Sequence, residues 1–185
     1  MASLATLWTK NKQHNNKTIE EIDLIIREQL KDYDNITYLQ NEEYDEFPGI
    51  RIIGATLWTN TNTYIEGISL DYERIYKGPN RLLTPEDKLE LHERSVKYIL
   101  NRMEECERMR KRMIVITHHM PCYSMIDEEY GDTDEYKKRE YANDLTNMIR
   151  DPIKLWICGH SHGYHRITYN NIDIIRNAIG YGDEP

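Results

Sequence analysis

Two short apolar segments, each followed within two residues by histidine, constrain the fold of this 185-residue chain more than any other feature. Met113 to Thr117 is mainly apolar and leads into His118, and Leu155 to Cys158 leads into Gly159 and His160. Apolar runs of about four to eight residues are typical of strands that are buried on both faces of a sheet. We therefore predict two buried strands whose ends carry the histidines.

The rest of the chain predicts helices mixed with strands. Apolar residues at helical spacing, bounded by N-capping threonine or by proline, predict helices over Thr18 to Lys31, Thr84 to Met109 and Asp134 to Ile149. Short apolar stretches beside turn residues predict strands at Asn35 to Leu39 and Ile50 to Gly54, paired as a hairpin, and a last strand or hairpin around a turn at Asn170-Asn171. This mixture indicates an α/β layered fold. The length predicts one domain over residues 1–185.

Composition and charge limit the classes of partner. The net charge of −8 provides no overall positive field that would attract nucleic acid. The apolar runs are much shorter than the roughly 20 residues that span a bilayer, and the N-terminus lacks the pattern of a secretory signal. The three cysteines are widely spaced, which argues against a disulfide framework. We therefore expect a cytoplasmic protein that binds neither nucleic acid nor membrane.

The histidines that follow the two apolar segments are candidates for metal ligands. If the two strands are neighbours in one sheet, their ends bring His118 beside His160 and His162. The spacing of His160 and His162 lets both rings project from one side of an extended turn. Several imidazole nitrogens would then lie within reach of one or two metal ions. In the alternative interpretation, the histidines end the strands, bond to backbone carbonyls and bind no ion.

Four other features carry weaker signals. His92 lies on the apolar side of its predicted helix, which favours a packing role over a role in a site. The basic residues from Arg108 to Arg112 could contact phosphate, but the end of a helix favours solvated cations at these positions. Trp58 could contact a substrate or pack locally, and nothing indicates a nucleophilic role for Cys122.

The segments VITHHMP and WICGHSH resemble the last two metal-binding motifs of calcineurin-like metallophosphoesterases. GATLWTN, DYERI, LTPEDKLELHERS, YANDL and NAIGYGDE are similar to one bacterial and viral branch of that superfamily, so the resemblance runs from Asn35 to the end of the chain. It implies a layered α/β/β/α sandwich. It also implies that His118 and His160 bind one divalent ion, that His162 binds another, and that His119 lies at the substrate phosphate as a catalytic residue.

The activity implied by the resemblance is hydrolysis of a phosphate ester by a metal-bound hydroxide, with manganese, zinc, iron or magnesium as cofactor. Two cations would lower the pKa of bound water and offset the charge of the phosphoryl oxygens. The substrate would thus be a phosphate ester.

The chain departs from the family in the motifs that supply carboxylate ligands. D-x-H and G-N-H-[DE] do not occur, and Gly131-Asp132, the first Gly-Asp pair, follows His118 instead of preceding it. The resemblance therefore implies a C-terminal portion of the fold, incomplete at its N-terminus. Three hypotheses follow: a phosphoesterase that uses a complementing N-terminal fragment or a rearranged site, a non-catalytic remnant or metal-binding interaction module, and a purely structural histidine-metal site.

Overall fold

The fold is described from a computed structural model of the chain, for residues 16–61, 69–127, 135–178 and 180. The helices of this part are α1 (Ile19–Leu30), α2 (Asp71–Arg74), α3 (Pro85–Met109) and α4 (Glu135–Tyr141), with short 3₁₀ turns at Tyr123–Met125 and Thr146–Met148. The strands are β1 (Glu42–Tyr44), β2 (Ile50–Ala55), β3 (Tyr76–Gly78), β4 (Arg81–Leu82), β5 (Arg112–Thr117), β6 (Ile153–Cys158), β7 (Gly163–Tyr169) and β8 (Ile172–Ala178).

Local sequence determines where the two longer helices begin. Thr18 caps α1 by accepting a hydrogen bond from the backbone N–H of Glu21, and the Glu21 side chain accepts one from the Thr18 backbone. Thr84 and Asp87 form the same reciprocal arrangement at the start of α3. Both threonines were predicted as helix starts, and the structure confirms them. α3 ends at Met109, where Arg110 adopts a left-handed conformation that stops the helix.

The main sheet has six strands in the order β1-β2-β5-β6-β8-β7. The four central strands run parallel, whereas β1 and β7 pair antiparallel at the two edges. β5 and β6 lie in the middle and are neighbours, because Ile116 is opposite Ile157 in their shared register. The protein therefore has a mixed α/β fold with a mostly parallel sheet, and the two predicted buried strands are confirmed.

The hydrophobic core lies against this sheet. Ile53, Val115, Trp156 and Ile174 belong to four adjacent strands and have no solvent exposure, and Ile99 from α3 packs with them. The indole N–H of Trp156 donates to the Thr117 hydroxyl at 2.9 Å, so the buried polar group has a partner. In the described part of the chain, no helix combines the length and apolar content needed to cross a bilayer.

The predicted hairpin is wrong in its first strand. Asn35 to Leu39 forms no strand, and β1, at Glu42–Tyr44, pairs with β2 instead. This acidic segment can form a strand because Arg51, which is only 4% exposed, pairs with the carboxylates of Glu43 and Asp45. Charge neutralisation by a residue on the partner strand outweighs the low strand preference of acidic residues.

The predicted helix from Asp134 to Ile149 is also too long. α4 ends at Tyr141, and a separate 3₁₀ turn follows at Thr146–Met148. Between them, the Asn143 side chain accepts a hydrogen bond from the Asn60 backbone N–H at 3.0 Å. Asn143 thus contacts another loop instead of continuing the helix, an interaction that helical periodicity does not reveal. The predicted hairpin near the end is confirmed as β7 and β8, which meet at Asn170 and Asn171.

Candidate metal centre

The candidate site lies at the carboxyl ends of β5 and β6. His118 follows the last residue of β5, and Gly159 and His160 follow the last residue of β6. The backbone N–H of Gly159 donates to the carbonyl of His118 at 3.0 Å, which joins the two strand exits directly. Because the strands are parallel neighbours, these residues meet at the same edge of the sheet.

Three imidazoles come together there. The Nε2 atom of His118 is 3.1 Å from the Nδ1 atom of His160. His119 completes the group, because its ring centroid lies 4.5 Å from that of His160 and 4.8 Å from that of His118. Each of the three side chains offers a ring nitrogen, and these nitrogens all lie within 4.8 Å of one another. A group of this size could hold one metal ion.

The surroundings favour the neutral form of these rings. Burial lowers the pKa of His118 to about 4, a shift that the nearby Asp71 carboxylate partly opposes and the charge of His162 increases. Burial also lowers the pKa of His119 and of His160 well below the usual value, and the other histidines and the Lys88 ammonium lower it further. Neutral imidazole is the form that binds metal ions.

Hydrogen bonds to backbone carbonyls orient two of the rings. The Nδ1 atom of His119 lies 3.4 Å from the carbonyl oxygen of Thr56, so this nitrogen carries the proton and Nε2 keeps its lone pair. The Glu140 carbonyl acts on the His160 ring as an acceptor and raises the pKa of His160, against the larger lowering by burial, while the Nδ1 atom of His160 is directed at His118. Metal-binding histidines commonly use a carbonyl in this way to fix the tautomer.

Two non-glycine residues beside the site have left-handed backbone conformations. His160 has φ of 71° and Leu57, in the loop after β2, has φ of 52°. Such conformations are unfavourable for residues with a side chain and concentrate at functional sites. An added Cβ atom at Gly159 would lie 3.7 Å from the Nδ1 atom of His118, an ordinary van der Waals distance, so close packing does not require glycine there.

The positions of the predicted site residues differ in two respects from the expected ligand set. His118 and His160, predicted to share an ion, are adjacent. His119, assigned to the substrate through the resemblance, lies in the same group and is 3% exposed. His162 is exposed and does not belong to this group, although its charge acts on both His118 and His160. The prediction that His162 binds a second ion stays a prediction.

A buried ion-pair cluster next to the histidines was not predicted. The Lys88 ammonium is completely buried and lies 2.7 Å from the Glu140 carboxylate and 3.1 Å from that of Asp71. Asp71 and Lys88 come from α2 and α3, and Glu140 comes from the last turn of α4. Lys88 and Glu140 are separated by 52 residues in sequence, so no local pattern indicates the contact.

The weaker candidates also have defined positions. His92 is buried, and its Nδ1 atom donates to the Trp58 carbonyl at 2.7 Å, which confirms the predicted packing role. Trp58 is buried, with its ring centroid 5.8 Å from that of His119, so it packs beside the group. Burial raises the pKa of the Cys122 thiol, which makes it a poor nucleophile.

Comparison with known proteins gives a distant relative. The chain is 30% identical over 182 residues to a protein of Acanthamoeba polyphaga mimivirus that is described as uncharacterized. The match covers 91% of this chain and 63% of the viral protein, so the chain spans less than two thirds of the length of that relative. No protein-family model matches the chain.

Proposed function

We propose that the chain is a metal-dependent phosphoesterase of the calcineurin-like type. The observation that carries the proposal is the group of neutral imidazoles from His118, His119 and His160, at the exits of two adjacent parallel strands. The residues VITHHMP and WICGHSH, which resemble metallophosphoesterase motifs, are the segments that meet at this edge. The α/β fold with its central parallel strands is compatible with the layered sandwich that the resemblance implies.

The donor set of the group fits a divalent transition metal. Three imidazole ligands leave a coordination position open, as in catalytic zinc sites. Nitrogen donors favour zinc or iron over magnesium, which prefers oxygen ligands. A cation held by these three rings would supply acidity to a water molecule and positive charge for a phosphate group. This positive charge is needed because the protein has a net charge of −8, which repels an anionic substrate.

The residues around the group have distinct proposed roles. His118 and His160 hold the cation, and His119 either completes the ligand set or contacts the phosphate, since it packs against both other rings. His162 is exposed at the rim and binds a second ion or the substrate. Asp71 is the carboxylate whose charge reaches His118, while its side chain is paired with Lys88.

A second candidate function is metal binding without turnover. It is favoured by the composition of the group, which contains three histidines and no carboxylate. The neighbouring carboxylates of Asp71 and Glu140 are both bound to Lys88, so they are not available as ligands in this arrangement. A cation held by imidazoles alone lacks the bridging carboxylate of a two-metal site.

Metal analysis and a hydrolysis assay on the same preparation distinguish these two functions. Purified protein is loaded with Zn²⁺ or Mn²⁺, its metal content is measured, and hydrolysis of an aryl phosphate monoester and diester is followed. The proposal expects at least one bound ion and a hydrolysis rate that His160→Asn abolishes. His165→Ala, in a histidine that lies outside the group, serves as the matched control.

The outcomes separate clearly. Bound metal with no rate above that of His160→Asn would reject the phosphoesterase and support the metal-binding module. Absence of bound metal in wild-type protein, or equal metal content in the wild type and His160→Asn, would reject both functions.

A further inference from the structure

Lys88 and Glu140 form an ion pair that is unusually deep in the protein. Lys88 has no solvent exposure, and the Glu140 side chain is 4% exposed. Their charged atoms are 2.7 Å apart, and the Lys88 ammonium also lies 5.3 Å from the centre of the Tyr72 ring. Lysine and glutamate are almost never fully buried without a partner, because removing a charge from water is costly.

Stability alone gives a weak reason for such a pair. The attraction between two buried charges roughly offsets the cost of desolvating them, and apolar residues of similar volume are often as stabilising. The Glu140 carboxylate also keeps one oxygen, Oε1, that is buried and has no hydrogen-bond partner. The presence of this buried ion pair is therefore better explained by the relative positions of the two helix ends that it fixes.

The pair holds a specific piece of backbone against the candidate site. Lys88 lies in the first turn of α3, a helix of 25 residues, and Glu140 lies in the last turn of α4, a helix of seven. The carbonyl of this same Glu140 faces the His160 ring as an acceptor and raises the pKa of His160, against the larger lowering by burial. The adjacent Tyr141 ring packs 5.6 Å from the His160 ring, measured between centroids. Lys88 is thus connected to His160 through a single residue.

We propose that Lys88 is a positioning residue for the histidine group, which acts by fixing Glu140 so that the Glu140 carbonyl holds the His160 ring in its ligand orientation. Lys88 does not contact the cation or the substrate in this arrangement. It anchors the end of a short helix to a long one, and the short helix then supplies an outer hydrogen bond to a metal-binding imidazole. Such outer partners commonly change metal affinity by about 10-fold to 100-fold. The proposal rests on the proposed metal-binding function, but the orientation of the ring can be measured without metal.

The test compares variants that separate positioning from folding. Lys88→Met leaves the Glu140 carboxylate buried and unpaired, so this variant is expected to lose stability for that reason alone. The double variant Lys88→Met with Glu140→Met replaces both charges by apolar side chains, and it is expected to recover thermal stability. Lys97→Met, at an exposed lysine on the same helix, is the matched control.

Two measurements are made on each protein. The first is the ¹H–¹⁵N signal of the His160 ring in metal-free protein, which reports its hydrogen bond to the Glu140 carbonyl. The second is the affinity for Zn²⁺, obtained by competition with a chromophoric chelator. We expect the double variant to melt near the wild-type temperature, to lose the protected ring N–H signal and to bind Zn²⁺ about 10-fold more weakly or worse. Lys97→Met should match the wild type in both measurements.

A stable double variant with an unchanged ring signal and wild-type Zn²⁺ affinity would overturn the positioning role. If wild-type protein binds no Zn²⁺, the proposed function fails, and the ring signal alone then decides the positioning role. Should the double variant fail to fold, Glu140→Gln, which keeps the backbone carbonyl and removes the charge, replaces it in the same two measurements.

Discussion

His160 combines a left-handed backbone with a ring nitrogen 3.1 Å from that of His118. Asparagine tolerates this backbone conformation better than most residues with a side chain. We therefore expect His160→Asn to keep the turn after β6 while it removes one imidazole from the group. Calorimetric titration with Zn²⁺ should show a loss of at least about 10-fold in affinity, with a melting temperature close to that of the wild type.

The control for this variant is His165→Asn, which changes a histidine that lies beside Asp127 and outside the group. It should bind Zn²⁺ as the wild type does. Undiminished Zn²⁺ affinity in His160→Asn would remove His160 from the ligand set.

Four buried histidines should make the stability of the metal-free protein depend on pH. These histidines are His92, His118, His119 and His160. Burial lowers the pKa of each below the usual value of 6.5, and that of His118 to about 4. The unfolded chain therefore binds more protons than the folded chain below about pH 6.5. The free energy of unfolding should fall as the pH decreases from 6.5 towards 4, by up to about 1.4 kcal/mol per pH unit for each histidine that stays neutral.

Urea unfolding at a series of pH values measures this dependence. Carboxylates change the free energy of unfolding at lower pH than the histidines do. Hydrogen bonds to cations lower the pKa values of Asp45 and Asp87 below 3.8, against the opposing effect of burial. Zn²⁺ should steepen the decrease, since protons compete with the cation for the same nitrogens. A free energy of unfolding that stays constant between pH 7 and 5 would contradict the buried, neutral state of these rings.

At the scale of elements, α3 contributes residues to the core and carries Lys88. Substitutions at the start of this helix should therefore lower the stability of the protein. The Thr84 hydroxyl accepts from the Asp87 backbone N–H at 3.2 Å, and the Asp87 carboxylate accepts from the Thr84 backbone at 3.0 Å. Thr84→Ala removes one half of this capping box. We expect the free energy of unfolding to fall by about 1 kcal/mol, as measured by denaturant titration. Thr84→Ser keeps the hydroxyl and should remain within a few tenths of a kcal/mol of the wild type.

Elements whose signals are local in sequence were predictable. The capping boxes at Thr18 and Thr84 and the apolar segments before His118 and His160 each need only a few neighbouring residues. β1 was missed because its acidic segment is neutralised by ion pairs with Arg51 of β2, a contact that the local sequence does not reveal. The early end of α4 was missed because it involves Asn143, which contacts residues more than 80 positions away.

In the candidate site, too, contacts with a local sequence signal were predictable and contacts between distant residues were not. His118 and His160 follow strands that the sequence predicts to be buried, so their proximity could be predicted once the strands were taken as neighbours. The Lys88–Glu140 pair has no such signal, because it joins two helices across 52 residues. His162 is exposed and lies outside the group, although its spacing predicts that its ring projects from the same side of the turn as that of His160.

At the scale of the whole molecule, Arg176 connects the last strand to the loop after β5. It is 1% exposed, and it donates to the Met125 carbonyl at 2.8 Å and to the Asp127 carboxylate at 2.6 and 2.8 Å. Arg176→Met leaves these acceptors without their cation. We expect a loss of about 3 kcal/mol in the free energy of unfolding, the lower end for a broken buried pair, because Asp127 is partly exposed.

Arg166→Met on the adjacent strand is the matched control. Arg166 pairs with Asp173 at an exposed position, where water screens the ion pair, so its loss should cost much less stability than the loss of Arg176. The free energy of unfolding of both variants is measured by denaturant titration. Equal losses would show that the contribution of Arg176 to stability does not depend on its burial.

The register between β5 and β6 has a practical consequence for following the folding of this protein. Ile116 lies opposite Ile157, and only this alignment brings the exits of both strands to the same level. A slip by one residue would turn the side chains of one strand to the opposite face. Capture of a coloured ion such as Co²⁺ would then report a correctly aligned sheet, which would allow refolding yields to be read from an absorption spectrum.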